Sequence, residues 1–239
     1  MPDPRDTTPA ATGPGESPPL LTCGGVKFPL DTAVLPRRIR TLLREGKYEA
    51  KEATALRKLV RKGDVVMELG GGIGYMSTLA ATQTPAGAVH AFEANPGLIP
   101  YIRRVHQMNG ADTAQVHHGV LGAEAGKTAF YVRENLLASS LTPDEDGSAA
   151  EAVQVPILDM NAEIARIRPT VLVCDIEGAE ADLLPQMDLS GLRAAVIETH
   201  PQWIGKDGIR KVFACLDAAG LVFFPRWSHG KVAVFRADW

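Results

Sequence analysis

The sequence predicts an α/β protein with a doubly wound, mostly parallel sheet. After residue 63, short apolar runs of strand length alternate with segments whose apolar residues recur every three or four positions. The runs are apolar throughout, which is typical of strands covered by helices on both faces. Two strand-like segments near the end, 221–224 and 231–235, flank a short turn and predict a closing antiparallel hairpin.

Composition narrows the class of protein. The chain has 239 residues, with 25 Lys and Arg against 28 Asp and Glu, for a net charge of −3. It has no apolar run of 18 residues and no apolar signal-peptide core in its first thirty residues, so we expect a cytoplasmic protein with no membrane partner. The cysteines, Cys23, Cys174 and Cys215, are few and far apart, which argues against a disulfide framework. The slightly acidic balance also argues against nucleic acid as a partner.

The chain divides into three predicted parts. Residues 1–22 include a proline-rich stretch with little to bury and are predicted to be a disordered tail. Residues 23–63 form a basic helical segment, which carries a charge of +7 between residues 37 and 62 and is predicted to act as a lid or cap. Residues 64–239 form the main domain.

Apolar runs and helical periodicity place the elements of the main domain in order. Strands are predicted at 65–67, 89–92, 115–120, 128–132, 171–174 and 194–197, before the closing hairpin. Helices are predicted at 75–81, at 96–105 with Asn95 as N-cap and Pro96 at the first helical position, at 179–186 and at 207–219.

A glycine-rich loop follows the first predicted strand directly and precedes a helix. Its sequence, E-L-G-G-G-I-G at 68–74, permits positive φ and close approach of a ligand. Ligands of such sheets bind outside the carboxyl ends of the strands. Glu93 ends the next strand, about 20 residues on, where a carboxylate accepts hydrogen bonds from ribose hydroxyls. The loop and Glu93 therefore predict an adenosine-containing ligand.

The spacing of the glycines favours one such ligand over another. A dinucleotide loop of the form G-x-G-x-x-G needs a glycine where this chain has Tyr75. The chain has Gly70, Gly72 and Gly74 instead, and Glu68 precedes them. A carboxylate at Glu68 suits a positively charged amino group and repels a pyrophosphate. S-adenosylmethionine is therefore favoured, and an NAD-binding oxidoreductase stays as the alternative.

Several motifs together resemble the FkbM family of class I methyltransferases. The most specific is D-I-E-G-A-E at 175–180, and G-x-Y-E at 46–49 is similar to a family motif just before the core. The other matching segments are 63–66, 68–75, 92–96, 137–141 and 197–201. One departure is E-L-G-G-G at 68–72, where the family more often has Asp, and Ala-Asn between the glycines.

The resemblance implies a Rossmann-like sheet of seven strands, S-adenosylmethionine as methyl donor, and O-methylation of a saccharide or small-molecule natural product. Donor-binding residues are then expected at Glu68, Gly70, Gly72, Gly74, Tyr75, Glu93, Asn95 and Asp175. Acceptor contacts are expected at Tyr48, Glu49 and Trp203. N- or carboxyl-methylation on the same scaffold, and a non-catalytic relative, stay as alternatives.

A hydroxyl acceptor needs its proton removed, so one base should lie opposite the methyl group. His200 is the simplest base at neutral pH, and Asp175 and Glu177 are the other catalytic candidates. A Mg²⁺ ion held by Asp175 and Glu198 is a less favoured alternative. Glu180 is equally well explained as an acid at the start of a helix.

Overall fold

The computed structural model describes residues 19–133 and 151–238. The strands in this part of the chain, in order, are β1 Leu20–Cys23, β2 Val26–Pro29, β3 Val65–Leu69, β4 Ala88–Glu93, β5 Ala114–His118, β6 Val120–Gly122, β7 Gly126–Val132, β8 Glu151–Asp159, β9 Val171–Cys174, β10 Ala194–Glu198, β11 Val222–Phe223 and β12 Val232–Arg236. The helices are α1 Arg37–Arg44, α2 Ala50–Leu59, α3 Tyr75–Gln83, α4 Ile99–Asn109, α5 Met160–Ile167, α6 Glu180–Leu183 and α7 Pro201–Ala218.

The predicted seven-stranded, doubly wound sheet is confirmed. Its strands lie in the order β11-β12-β10-β9-β3-β4-β5. The strands from β10 to β5 in this order are parallel to their neighbours. β12 is antiparallel to both β10 and β11, so the closing hairpin enters the sheet with β12 inside and β11 at the edge.

Helices cover both faces of the sheet, and the side chains of β3 alternate between them. Val66 packs into one apolar cluster with Leu56 of α2 and Leu79 of α3. Met67 packs into the other, which includes side chains of α5 and α7. Burial of each large apolar side chain stabilises the fold by about 1.5–3 kcal/mol. The sheet is therefore the shared wall of two cores, and its carboxyl edge stays open for a site.

The N-terminal part differs from the prediction. β1 begins at Leu20, inside the predicted tail 1–22, and pairs with β2 across Gly24 and Gly25, both at positive φ. Residues 1–18 lie outside the described residues, as does the motif at 137–141. The predicted helical segment contains two helices, α1 and α2. They pack into the same apolar cluster as the sheet, so the segment shares the core of the main domain.

The start of α4 also differs from the prediction. Asn95 does not cap the helix: its backbone N–H donates to Glu93 Oε1 at 2.7 Å, and its side-chain oxygen accepts from the N–H of Gly97 at 2.9 Å. These bonds form a turn that delays the helix to Ile99, with Pro100 in the first turn.

Among the described residues, the helices are too short or too polar to span a membrane.

A buried ion pair ties the amino edge of the sheet together. Asp64, just before β3, is paired with Arg193, just before β10. Its carboxylate also accepts from the hydroxyl of Thr170 at 2.9 Å and from the backbone N–H of Arg61 at 2.6 Å. Burial opposes ionisation of Asp64, but these hydrogen bonds outweigh it and lower its pKa. The Asp64 carboxylate therefore joins the residues that precede β3, β9 and β10, and it aligns these three strands.

We expect Asp64→Ala to lower the free energy of unfolding by about 3 kcal/mol, because it removes the carboxylate that the half-buried Arg193, Thr170 and the N–H of Arg61 share. Since the pKa of Asp64 is lowered in the folded state, its contribution is present above its unfolded pKa near 4 and is lost as the pH falls through the folded value. Urea unfolding at pH 7 and at pH 3 measures both effects. Asp207→Ala, which removes the exposed pair with Arg210, is the control and should leave stability nearly unchanged. Equal effects of the two variants would contradict the assignment.

Candidate active site

A pocket lies at the carboxyl edge of the sheet, between β3, β9, β10 and the helix α2. Its walls are acidic and apolar, and Lys and Arg side chains are not among the described residues that line it. The lining residues are Glu49, Glu52, Glu68, Gly70, Met76, Val173, Cys174, Asp175, Val196 and Glu198. The pocket therefore suits a ligand that carries positive charge.

The glycine loop forms the floor of this pocket. The backbone N–H groups of Gly70 and Gly71 both donate to the carbonyl of Phe92 at 3.0 Å, which ties the loop to β4. Gly70, at φ 87°, packs so closely that a Cβ there would overlap the carbonyl oxygen of Asp175. At Gly72, φ 52°, the nearest atom to an added Cβ is the Tyr48 hydroxyl at 3.6 Å. Gly70 is thus needed by the protein's own packing, whereas a Cβ at Gly72 would make only an ordinary contact.

Glu93 holds this loop in shape. One carboxylate oxygen accepts from the N–H of Gly72 at 2.8 Å and the other from the N–H of Asn95 at 2.7 Å. Burial raises the pKa of Glu93, and these two hydrogen bonds oppose that rise. Asn95 is fully buried, with its side chain committed to Gly97. Asn95 therefore supports Glu93 from behind.

Glu68 is a buried acid of the pocket that is hydrogen-bonded to Ser77. Its side chain is 3% exposed, and its Oε2 atom has no hydrogen-bond partner among the described residues. Burial, together with the charges of Glu93 and Asp175, raises the pKa of Glu68 to about 8. A buried carboxyl group without a full set of partners is costly unless a ligand supplies one. Glu68 therefore fits a cationic or hydrogen-bond-donating group of a ligand.

Two more acids come from the N-terminal segment. Glu49, at φ 43°, precedes α2, and burial together with the charges of Asp175 and Glu68 raises its pKa. Glu52 lies one turn on, where burial and Glu198 raise its pKa. Tyr48 and Glu49, predicted as acceptor contacts, are thus placed against the glycine loop and Asp175.

The catalytic candidates meet around one imidazole. His200 is 2% exposed, and its Nε2 lies 3.5 Å from Asp175 Oδ1 and 3.4 Å from Glu177 Oε2. Glu198 Oε1 is 3.9 Å from the same nitrogen. Burial and the charges of Glu198 and Glu177 raise the pKa of Asp175 to about 7. Carboxylates from the end of β9 and an imidazole from the end of β10 therefore face one another.

A fourth acid, Glu180, lies behind the imidazole. Its Oε1 is 2.5 Å from His200 Nδ1, and its side chain is fully buried. The sequence left the role of Glu180 open and did not predict this pair, which joins residues 20 positions apart. The signal available was the D-I-E-G-A-E motif itself, in which Glu180 is the last acid.

Two other predicted site residues are Tyr75, which is buried, and Trp203, which is exposed. Tyr75 packs its ring against Phe28 and Tyr48, with its hydroxyl under Gly24 of the β1–β2 hairpin. This residue can meet a ligand on the glycine loop only through its backbone. Trp203 is 69% exposed and lies over Gly178, next to Glu177. Trp203 is therefore at the rim of the site.

The residues around His200 fit Mg²⁺ poorly. Asp175, Glu198 and His200 offer one atom each within 4.8 Å of one another. Mg²⁺ holds oxygen ligands at about 2.1 Å, so neighbouring ligands lie about 3 Å apart. Imidazole is not a preferred Mg²⁺ ligand, and only two carboxylates of this group remain to hold the ion. Unchanged turnover after dialysis against EDTA would remove this alternative.

The fold and the site together define a class I methyltransferase dependent on S-adenosylmethionine. The chain belongs to the FkbM family, since the model of the methyltransferase FkbM domain matches residues 64–231. Membership of a methyltransferase family sets the oxidoreductase alternative aside. No curated protein has a significantly similar sequence.

Solved structures are similar in fold. Trm5b from Pyrococcus abyssi is 14% identical with a TM-score of 0.52, and the match covers 93% of this chain and 57% of that one. TYW2 from M. jannaschii, solved with AdoMet, is 13% identical with a TM-score of 0.51, and the match covers 91% and 84%. At such identities the likeness shows the fold alone.

We expect Gly70→Ala to destabilise the protein more than Gly72→Ala. Both positions have positive φ, which costs an alanine about 1 kcal/mol, but only position 70 also forces a Cβ against the backbone of Asp175. Gly70→Ala should lose at least twice as much free energy of unfolding in urea. Equal losses would show that a Cβ at position 70 fits against the backbone of Asp175.

Proposed function

We propose that the protein is an S-adenosylmethionine-dependent O-methyltransferase acting on a hydroxyl of a small-molecule natural product or a saccharide. The observation that carries this proposal is the position of His200. Its Nε2 lies beside Asp175, which also lines the pocket that contains Glu68 and Gly70. A base for a hydroxyl and the groups for a methyl donor are therefore parts of one site.

The donor groups are assigned by their chemistry. Glu68 and Asp175 offer buried carboxyl oxygens without hydrogen-bond partners in the described residues, which suit an amino group. Glu93, at the end of β4, suits ribose hydroxyls. Gly70, Gly72 and Gly74 supply a backbone surface open at position 72; Tyr75 adds its backbone, and Asn95 acts through Glu93. When bound, S-adenosylmethionine supplies a methyl group on a positively charged sulfur, already activated for displacement.

The proton is handled by His200 with Asp175 or Glu177. Well-oriented reactants gain about 7–11 kcal/mol from positioning alone, so the base contributes the part that a hydroxyl requires beyond alignment. Nε2 takes the proton, and the neighbouring carboxylates stabilise the imidazolium that forms. An amine acceptor, which needs less help from a base, is the alternative on the same scaffold.

The acceptor is a neutral or cationic small molecule or glycan. Glu49, Glu52 and Glu198 line the pocket, and a phosphorylated acceptor or a nucleic-acid backbone would be repelled there. Two bases of the N-terminal segment have structural partners: Arg40 donates to the carbonyl of Leu35 at 2.6 Å, and Arg57 donates to Gly24 at 2.9 Å. Tyr48, Glu49 and the exposed ring of Trp203 are the proposed acceptor contacts.

All three cysteines are free, which supports the predicted cytoplasmic location.

The test of the proposal is methylation of an acceptor panel followed by mass spectrometry. We expect transfer to hydroxyl groups and not to amines or carboxylates. Exclusive N-methylation would replace the proposal by its alternative. Binding of S-adenosylhomocysteine with no transfer to any compound of a broad panel would indicate a non-catalytic relative.

We expect His200→Ala to reduce O-methyl transfer about a hundredfold or more, because it removes the proposed base. The affinity for S-adenosylhomocysteine, measured by calorimetry, should stay the same. His90→Ala is the matched control: this histidine pairs with His117 at 3.0 Å on β4 and β5, and the variant should keep its activity. Full activity of His200→Ala would remove the base assignment.

We expect proton release when S-adenosylhomocysteine binds at pH 7. The pKa of Glu68 is about 8 in the free protein, so its carboxyl group is mostly protonated, and a bound ammonium favours the ionised form. Affinity should therefore rise with pH up to about 8. Calorimetry in buffers of different ionisation enthalpy counts the protons, and Glu68→Gln should reduce the count. Glu124→Gln, on the surface, is the control, and equal release by both variants would contradict the role of Glu68.

A further inference from the structure

Glu180 is a charged side chain with no exposed surface. Its position at the start of α6 does not explain it, because α6 has four residues and no side-chain cap. One oxygen is 2.5 Å from His200 Nδ1, and the other has no hydrogen-bond partner among the described residues. A buried carboxylate is retained only where a close partner offsets the cost of its desolvation. That partner is His200.

The contact with Glu180 decides which nitrogen of His200 can take a proton from a group in the pocket. An ionised carboxylate only accepts hydrogen bonds, so Nδ1 must carry a proton. Nε2 is then the nitrogen that exchanges a proton, and it faces Asp175 Oδ1 at 3.5 Å and Glu177 Oε2 at 3.4 Å. Without Glu180 the ring would be free to protonate at Nε2 instead, which leaves no base toward the pocket.

The carboxylates around the His200 ring all raise its pKa. Burial alone lowers the pKa of His200, but the hydrogen bond and charge of Glu180, followed by Asp175 and Glu177, raise it above its usual value. The other groups that face this cluster are Glu198, at 3.9 Å from Nε2, and Glu52 of α2, which adjoins Glu198 and Asp175. All of them are acids, and Glu180 is the one in contact with Nδ1.

We propose that Glu180 is a positioning residue that fixes the tautomer of His200 and strengthens it as the base for methyl transfer. This inference rests on the proposed function. The proton of the acceptor hydroxyl moves to the lone pair of Nε2, and the oxygen keeps the electron pair that forms the new bond to the methyl carbon. The bond between that carbon and the donor sulfur breaks, and its electron pair stays on the sulfur. Nδ1 keeps its proton, shared with Glu180. The imidazolium then passes the Nε2 proton to Asp175 or Glu177 and on to solvent.

The experiment compares Glu180→Gln with Asp182→Asn. Glu180→Gln keeps the shape and an acceptor oxygen but removes the charge, and Asp182, on the same helix, is a surface residue whose side chain is 85% exposed. NMR titration of the imidazole nitrogens, with and without S-adenosylhomocysteine, reads the protonation of His200 and needs no acceptor. We expect the pKa of His200 to fall by about one unit or more in Glu180→Gln and to stay unchanged in Asp182→Asn.

The second readout is the pH dependence of transfer to a panel of methyl glycosides. In the wild type the rate should rise with pH through the pKa of His200. In Glu180→Gln this rise should move to lower pH, with kcat at least tenfold lower and the affinity for S-adenosylhomocysteine within twofold. An unchanged His200 titration in Glu180→Gln would overturn the proposal, whichever acceptor the enzyme uses. Absence of transfer by the wild type, with the titration shifted as expected, would instead count against the proposed function alone.

Discussion

The close packing of the glycine loop on the backbone that follows β9 is the constraint on which the site depends. The N–H of Asp175 donates to the carbonyl of Leu69 at 2.9 Å, and Gly70 leaves no room for a Cβ against the Asp175 carbonyl. The end of β3 and the end of β9 therefore hold each other at one distance. A donor placed on the loop is automatically placed against the carboxylates that follow β9.

The second element of the site is the accumulation of acids with raised pKa values. The pKa values of Glu68, about 8, and of Asp175, about 7, lie close to neutral pH. The pKa values of Glu49 and Glu52 are raised as well. Such a pocket keeps protons that a cation displaces on binding. The free site therefore avoids the full repulsion of its carboxylates.

Sequence alone predicts the sheet and the loop because both depend on local signals. Apolar runs of strand length reveal buried parallel strands, and a glycine cluster between a strand and a helix reveals the loop. The hairpin of β1 and β2 was missed although Gly24 and Gly25 form a two-residue turn between its strands, since the prolines before residue 20 dominated the composition.

The remainder depends on contacts between distant positions. Local pattern made Asn95 a helix cap, but Glu93 captures its N–H and the helix starts later. Glu180 and His200 are 20 residues apart, and only the packing of α6 against α7 brings them together. A chemical role that arises from such a contact cannot be predicted from the spacing of residues along the chain.

Helix α2 carries two sets of constraints on one short segment. Leu56 and Leu59 are fixed by the apolar core they share with the sheet, whereas Glu52, one turn earlier, faces the pocket with Glu49. The same helix therefore fixes the distance between these two acids and the sheet. A substitution at Leu56 or Leu59 that shifts α2 would also move one wall of the pocket, although neither leucine lines it.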